Sequence, residues 1–189
     1  SLSGEGTFRA LRDVDEESLY VLRHTASHVL ALAVQDLFPN VKLAIGPPIE
    51  NGFYYDFEVE KPFTPEDLVR IEARMNELLQ KEDLAISRED WDKPRAREHF
   101  ANLGQRYKLD LINDIPGDSV SIYTVGRFVD LCAGPHLDSA KRLKHVKVLS
   151  TAGAYWRGDS NQPMLQRIYA TAFYKKADLD AYLQQIAEA

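Results

Sequence analysis

Apolar residues recur at helical spacing between positions 16 and 38, where Leu19, Leu22, Ala26, Val29, Ala33 and Leu37 fall on one face. Asp15 stands where a carboxylate can accept a first-turn N–H, and Pro39-Asn40 ends the run. The pattern predicts a long helix capped by Asp15. Residues 41–45 and 53–59 then read as two strands joined by a turn at Asn51-Gly52, with the glycine tolerating a positive φ. Thr64 is placed to cap a second helix, with Pro65 at its first position and Glu66 and Asp67 at the positive end of its dipole. Leu68, Ile71, Met75, Leu78 and Leu79 give that helix an apolar stripe. A strand over 84–87 follows, then a shorter helix from Asp92 through Phe100 that Gly104 stops.

Beyond Pro116-Gly117-Asp118 strand character dominates, at 119–125, 127–131, 146–150, 154–157 and 166–173, with Gly126 at a turn or bulge. A last helix begins near Asp178. Helices interleaved with hairpins predict an α+β fold: an antiparallel β-sheet with helices packed on one face, two layers with a cleft. No repeat or low-complexity tract divides the chain, so 16–189 reads as one domain preceded by a linker remnant at 1–15.

The chain's 189 residues suffice for one large domain with a substantial core. No apolar run approaches the ~20 residues of a bilayer span, and residues 1–8 lack the marks of a secretory signal. A single cysteine, Cys132, excludes an intrachain disulfide and fits a reducing compartment, which points to the cytoplasm. A formal net charge of −6 argues against a broad basic face that coats nucleic acid, while leaving room for a local contact with one RNA end. The densest basic stretch, 141–147, reads first as a solvated strand edge or loop.

His24 and His28 are four apart on the first helix and so project from one face. Cys132 and His136 repeat that spacing around Gly134-Pro135, which makes the second pair a shaped turn. The two pairs allow a tetrahedral zinc site of one Cys and three His, a metal-free hydrolytic pocket, or coincidence. Spacing does not choose among them.

The pairing of His24-Thr25-Ala26-Ser27-His28 with Cys132-Ala133-Gly134-Pro135-His136 resembles the second additional domain shared by threonyl- and alanyl-tRNA synthetases. Three further segments are similar to the threonyl branch: Ala44-Ile45-Gly46-Pro47, Asn51-Gly52-Phe53-Tyr54-Tyr55-Asp56, and Thr151-Ala152-Gly153-Ala154-Tyr155-Trp156-Arg157-Gly158-Asp159. Met164-Leu165-Gln166-Arg167-Ile168-Tyr169 adds to them, and the likeness runs from about Leu19 to Ala189. The resemblance implies proofreading hydrolysis of serine from the 3′ end of tRNA(Thr), with the rest of a synthetase chain and the tRNA acceptor end as partners and no membrane. The need is physical. One missing methyl supports only about 10–200-fold discrimination, so a second pocket must reject the error after synthesis.

By the same resemblance His24 orients or deprotonates the attacking water, and Cys132 positions water or hydrogen-bonds rather than attacking. Lys108 stabilises the oxyanion or holds the terminal ribose, and Asp130 accepts the serine ammonium or orients a water. Tyr55 lines the pocket, with His28 and His136 completing its polar wall. No cofactor is required. The alternatives are a zinc-dependent alanyl-type deacylase with His24, His28, Cys132 and His136 as ligands, and a catalytically silent tRNA-binding module.

Trp156 and Arg157 either meet RNA or form a buried Trp with a salt-bridged Arg; His99 reads as solvated, and His145 as a remote phosphate contact. Ala133 stands where many threonyl sequences carry arginine. The catalytic core and the anticodon-binding and small N-terminal domains of the family are absent from the chain. Its stop inside a helical run at 184–189 suggests a piece excised from a longer protein.

Overall fold

A computed structural model describes residues 15–189. The proposed linker remnant, Asp15 apart, lies outside the described residues. Helix α1 (Glu16–Leu37) runs through the centre and is buried on nearly every side. Asp15 occupies its N-cap in extended geometry, yet its side chain makes no capping hydrogen bond; its carbonyl instead accepts the Leu19 N–H at 3.0 Å. Strands β1 (Lys42–Leu43), β2 (Pro48–Ile49) and β3 (Gly52–Glu58) follow. At the β2–β3 turn Asn51 carries the positive φ of 59°, not Gly52. Gly52 is needed for another reason: a Cβ there would lie 2.4 Å from the Ala170 carbonyl oxygen across the sheet.

Helix α2 (Pro65–Lys81) starts with the expected Thr64 cap, completed by Asp67 into a reciprocal capping box. Strand β4 (Ile86–Asp92) begins later and runs longer than its sequence signal. Helix α3 (Lys93–Asn102) is capped by Asp92 as expected. A further helix, α4 (Arg106–Asp114), has no counterpart in the sequence reading. Strands β5 (Ser119–Val125) and β6 (Phe128–Leu131) form a hairpin. Strand β7 (His145–Tyr155) unites two expected strands across an irregularity between Val148 and Ser150, then pairs with β8 (Met164–Phe173) before the final helix α5 (Lys176–Ala187).

The class is α+β with antiparallel pairing, but the strands divide between two sheets rather than one. The larger has the order β1-β3-β8-β7 with β2 also on β3, and the smaller the order β4-β5-β6. The main core joins α1, α2 and the inner face of the larger sheet, where Phe53, Tyr55, Phe57, Ile168 and Ala170 are shielded from water. Each such large side chain contributes about 1.5–3 kcal/mol on burial. A second core under α3 and the smaller sheet gathers Trp91, Phe100, Ile112 and Ile122, and a third joins Ala44, Tyr107, Trp156 and Leu165. Helix α4 places Ile112 in one and Tyr107 in the other, so it ties the two sheets together.

Candidate functional site

The two sheets meet where α1, β3, α4 and β6 converge. His24 and His28 come from α1, Tyr55 from β3, Lys108 from α4, and Asp130 from β6, whose exit carries Cys132 and His136. Thr25 holds this exit loop to the helix: its hydroxyl accepts the Leu137 N–H at 3.0 Å and stands 3.3 Å from His136 Nδ1. Ser27, on the other side of α1, lies 2.8 Å from the Gly46 carbonyl and fixes the 45–48 loop as a second wall. Gly46 must be glycine there, because a Cβ would stand 2.1 Å from the Tyr55 ring.

Cys132 Sγ lies 3.2 Å from His24 Nε2 and 3.1 Å from His136 Nε2, and the Gly134 N–H points to it at 3.4 Å. Beside this cluster sits a buried charged network. Lys108 Nζ reaches the Ala44 carbonyl at 2.7 Å, the Tyr55 hydroxyl at 2.9 Å and Asp130 Oδ1 at 2.6 Å. Tyr55 donates in turn to Asp130 Oδ2 at 2.8 Å, and His28 Nε2 is 3.7 Å from the same oxygen. Two of the ammonium's three donors are hydrogen-bonded, and its charge is paired with Asp130.

Burial sets the protonation states. It lowers the pKa of His24, with the Pro135 carbonyl and Asp130 pulling the other way. It lowers that of His28 well below the imidazole range, helped by the charges of His24 and Lys108. His136 falls to about 2, through burial and then the two neighbouring histidines. The Cys132 thiol is pushed up to about 12 by burial, against the opposing Gly134 N–H. Three neutral imidazoles therefore surround a neutral thiol, which is a poor nucleophile and a hydrogen-bond donor.

A cavity of about 330 Å³ opens here, lined by His24, His28, Lys108, Asp130 and Cys132 with Tyr20 and the 45–48 loop. The structure thus brings His24, His28, Cys132 and His136 together as their spacing suggested, with one donor atom from each lying within 4.8 Å of the others. His136 stands behind Cys132 rather than on the cavity surface. Tyr55 is fully buried beneath the floor and acts through its hydroxyl, so it does not line the pocket. The buried-tryptophan alternative holds at the β7–β8 turn: Trp156 is 4% exposed against Tyr107, and Arg157 pairs with Asp114 at 2.5 Å. His99 is not solvated as expected but wedged edge-on to Trp91 and Phe100. Thr25 and Gln105 escaped the sequence reading; for Thr25 the one available signal was its place between the two histidines.

One Cys and three His are a donor set that suits zinc, and the two S···N separations are close to the ~3.5 Å between ligands of a tetrahedral ion. His28 Nδ1 is buried without a hydrogen-bond partner among the described residues and is free to ligate, while its Nε2 lies 3.7 Å from Asp130 Oδ2, where a carboxylate can orient the ring.

Part of the sequence that builds this site matches a known family. The model for the threonyl and alanyl tRNA synthetase second additional domain matches residues 120–169, and the chain belongs to that family. Its relatives place it on the threonyl side. It is 54% identical to the threonine–tRNA ligase of Dechloromonas aromatica over 93% of this chain and 27% of that protein. Against the threonine–tRNA ligase of Methylobacillus flagellatus it is 50% identical over 100% of this chain and 30% of the relative. The same enzyme of Ralstonia nicotianae is 52% identical over 94% and 28%. The chain therefore spans less than a third of the relatives' length. No helix among the described residues is long and apolar enough to cross a membrane.

Proposed function

We propose that this domain is the proofreading hydrolase of a threonyl-tRNA synthetase, cleaving the ester that joins serine to the 3′-terminal ribose of tRNA(Thr). The observation that supports this reading is the convergence of His24, Cys132 and the Lys108–Asp130 pair on one cavity of about 330 Å³. In the proposed reaction, water adds to the ester carbonyl while the neutral His24 imidazole takes its proton. The Cys132 S–H donates to the developing oxyanion. When the tetrahedral intermediate collapses, the ribose oxygen leaves with the proton held by His24, giving serine and uncharged tRNA. General base catalysis of this kind contributes about 10²–10⁴-fold.

Lys108 takes a different part from the one its charge suggests. Two of its donors are committed to Ala44 and Tyr55 and its charge is paired with Asp130, so in this scheme it holds the Asp130 carboxylate in place and leaves the oxyanion to the thiol. Asp130 retains lone pairs toward the cavity for the substrate ammonium. The remainder of a longer synthetase chain and the tRNA acceptor end are the partners in this scheme, and the cytoplasm is its place.

The close-set donors support a second reading. If zinc is held, His24, His28, Cys132 and His136 hold it, and the ion supplies Lewis-acid activation of water. The test is a deacylation assay on tRNA(Thr) charged with serine or threonine, with metal analysis and chelator. Rapid loss of serine, slow loss of threonine, and a drop of about 10²-fold or more in His24→Ala and Cys132→Ala are expected without metal. Equal hydrolysis of both esters overturns the proofreading role. Stoichiometric zinc with chelator-sensitive activity selects the second reading.

A further inference from the structure

The cavity lining mixes polar groups, His24, His28, Cys132, Lys108 and Asp130, with apolar ones that include Tyr20, Ile45, Pro47 and Pro48. Tyr20 is the unusual member. It is a large aromatic that stays 47% exposed near the start of α1, and its ring meets the His24 ring edge-on with centroids 6.0 Å apart. An exposed tyrosine at a cavity lining adds nothing to the core, so its position calls for a ligand.

We infer that Tyr20 is a nucleobase platform: the 3′-terminal base of the RNA substrate stacks on its ring while the aminoacyl ester lies at His24. This rests on the proofreading reading and adds a binding residue to it. The spacing fits. Tyr20 and His24 share a helix face one turn apart, about 6 Å along the axis, which is roughly the span of one ribose between a 3′ ester and its own base. The charges fit as well. Among the described residues Lys108 is the one lysine or arginine on the lining, and Asp130 already neutralises it. The described lining thus offers a phosphate no free cation, while the Tyr20 ring offers an uncharged planar base a face. Aromatic platforms are how proteins hold unpaired RNA bases.

The test is equilibrium binding of two non-hydrolysable amides, 3′-seryl-amino-adenosine and the same amide on a ribose lacking the base. Wild-type protein should prefer the base-bearing compound by about 5- to 150-fold, the range that one stacked base supports. Tyr20→Ala should erase that preference, while Tyr20→Trp and Tyr20→Phe should keep most of it, since stacking needs the ring and not the hydroxyl. Circular dichroism and thermal melting of Tyr20→Ala should match wild type, given how little of the side chain is buried. A Tyr20→Ala protein that retains the wild-type preference overturns the inference, as does a wild-type protein that binds both compounds equally. Failure of the serine-charged tRNA to be hydrolysed would instead count against the proofreading reading, because binding of the amides does not depend on turnover.

Discussion

Replacing Lys108 with methionine tests the electrostatic heart of the site. The substitution keeps much of the apolar stem and removes the charge. Lys108 and Asp130 side chains are 2% and 3% exposed, so the carboxylate left behind sits in protein with the Tyr55 hydroxyl and a neutral His28 beside it, and the Ala44 carbonyl loses its donor. Breaking a buried pair in this way costs about 3–5 kcal/mol, because the remaining charge is neither solvated nor compensated. For a chain of this size that corresponds to a fall in Tm of roughly 6–20 °C. Urea unfolding followed through Trp91 and Trp156, which lie in different cores, reads the loss directly and checks that both parts unfold together. The paired variant Lys108→Met with Asp130→Asn removes both charges and should be more stable than Lys108→Met alone, a non-additivity of about 1–3 kcal/mol. If Lys108→Met loses less than about 1 kcal/mol, or the double variant loses the sum of the singles, the pair does not organise the site as argued.

Two further outcomes follow from the same geometry. Metal-free protein should be most stable between about pH 6.5 and 9. His28 and His136 have folded values below the ordinary 6.5, so as pH falls below 6.5 the unfolded chain takes up protons that the fold refuses, and stability drops; Cys132 at about 12 against 9.0 gives the opposite loss above pH 9.0. Urea series across pH check this, and an acid limb left unchanged in a His28→Gln, His136→Gln variant would refute it. Gln105→Ala should cost about 1–3 kcal/mol in the same unfolding assay, because Gln105 accepts the buried Leu43 N–H at 2.8 Å and staples α4 to the β1 edge.

Much of this arrangement was legible because local signals are strong where one periodicity faces one core. Helix α1, the apolar stripe of α2 and the β5–β6 hairpin all announce themselves in that way. Helix α4 did not: it has only nine residues, and its buried face carries Lys108 between Tyr107 and Ile112, so a charged residue interrupts the apolar pattern where the helix packs. Nor does alternation name a strand's partner, and the split into two sheets therefore lay beyond the pattern. At the site, the four His and Cys residues were visible as two equal spacings, and Lys108, Asp130 and Tyr55 only through the resemblance. Alternation required one of Tyr54 and Tyr55 to face the core; it is Tyr55, and its hydroxyl reaches up from that core into the charged network.

That placement of Tyr55 explains how a fully charged pair coexists with imidazoles that must stay neutral. Lys108 disfavours a proton on His28, while Asp130 favours one on His24 and His136. With Lys108 and Asp130 locked within 2.6 Å of each other and both bonded to one hydroxyl, their fields largely cancel at the neighbouring rings. Burial is then the largest influence on all three histidines, and burial favours the neutral form. In the proposed hydrolysis, a neutral His24 beside an undissociated thiol then has a lone pair for the proton of water and a donor for the oxyanion within 3.2 Å of each other. The pair and the cluster are thus one device. The first supplies a fixed carboxylate without net charge, and that neutrality is what leaves the second able to accept a proton and give one back.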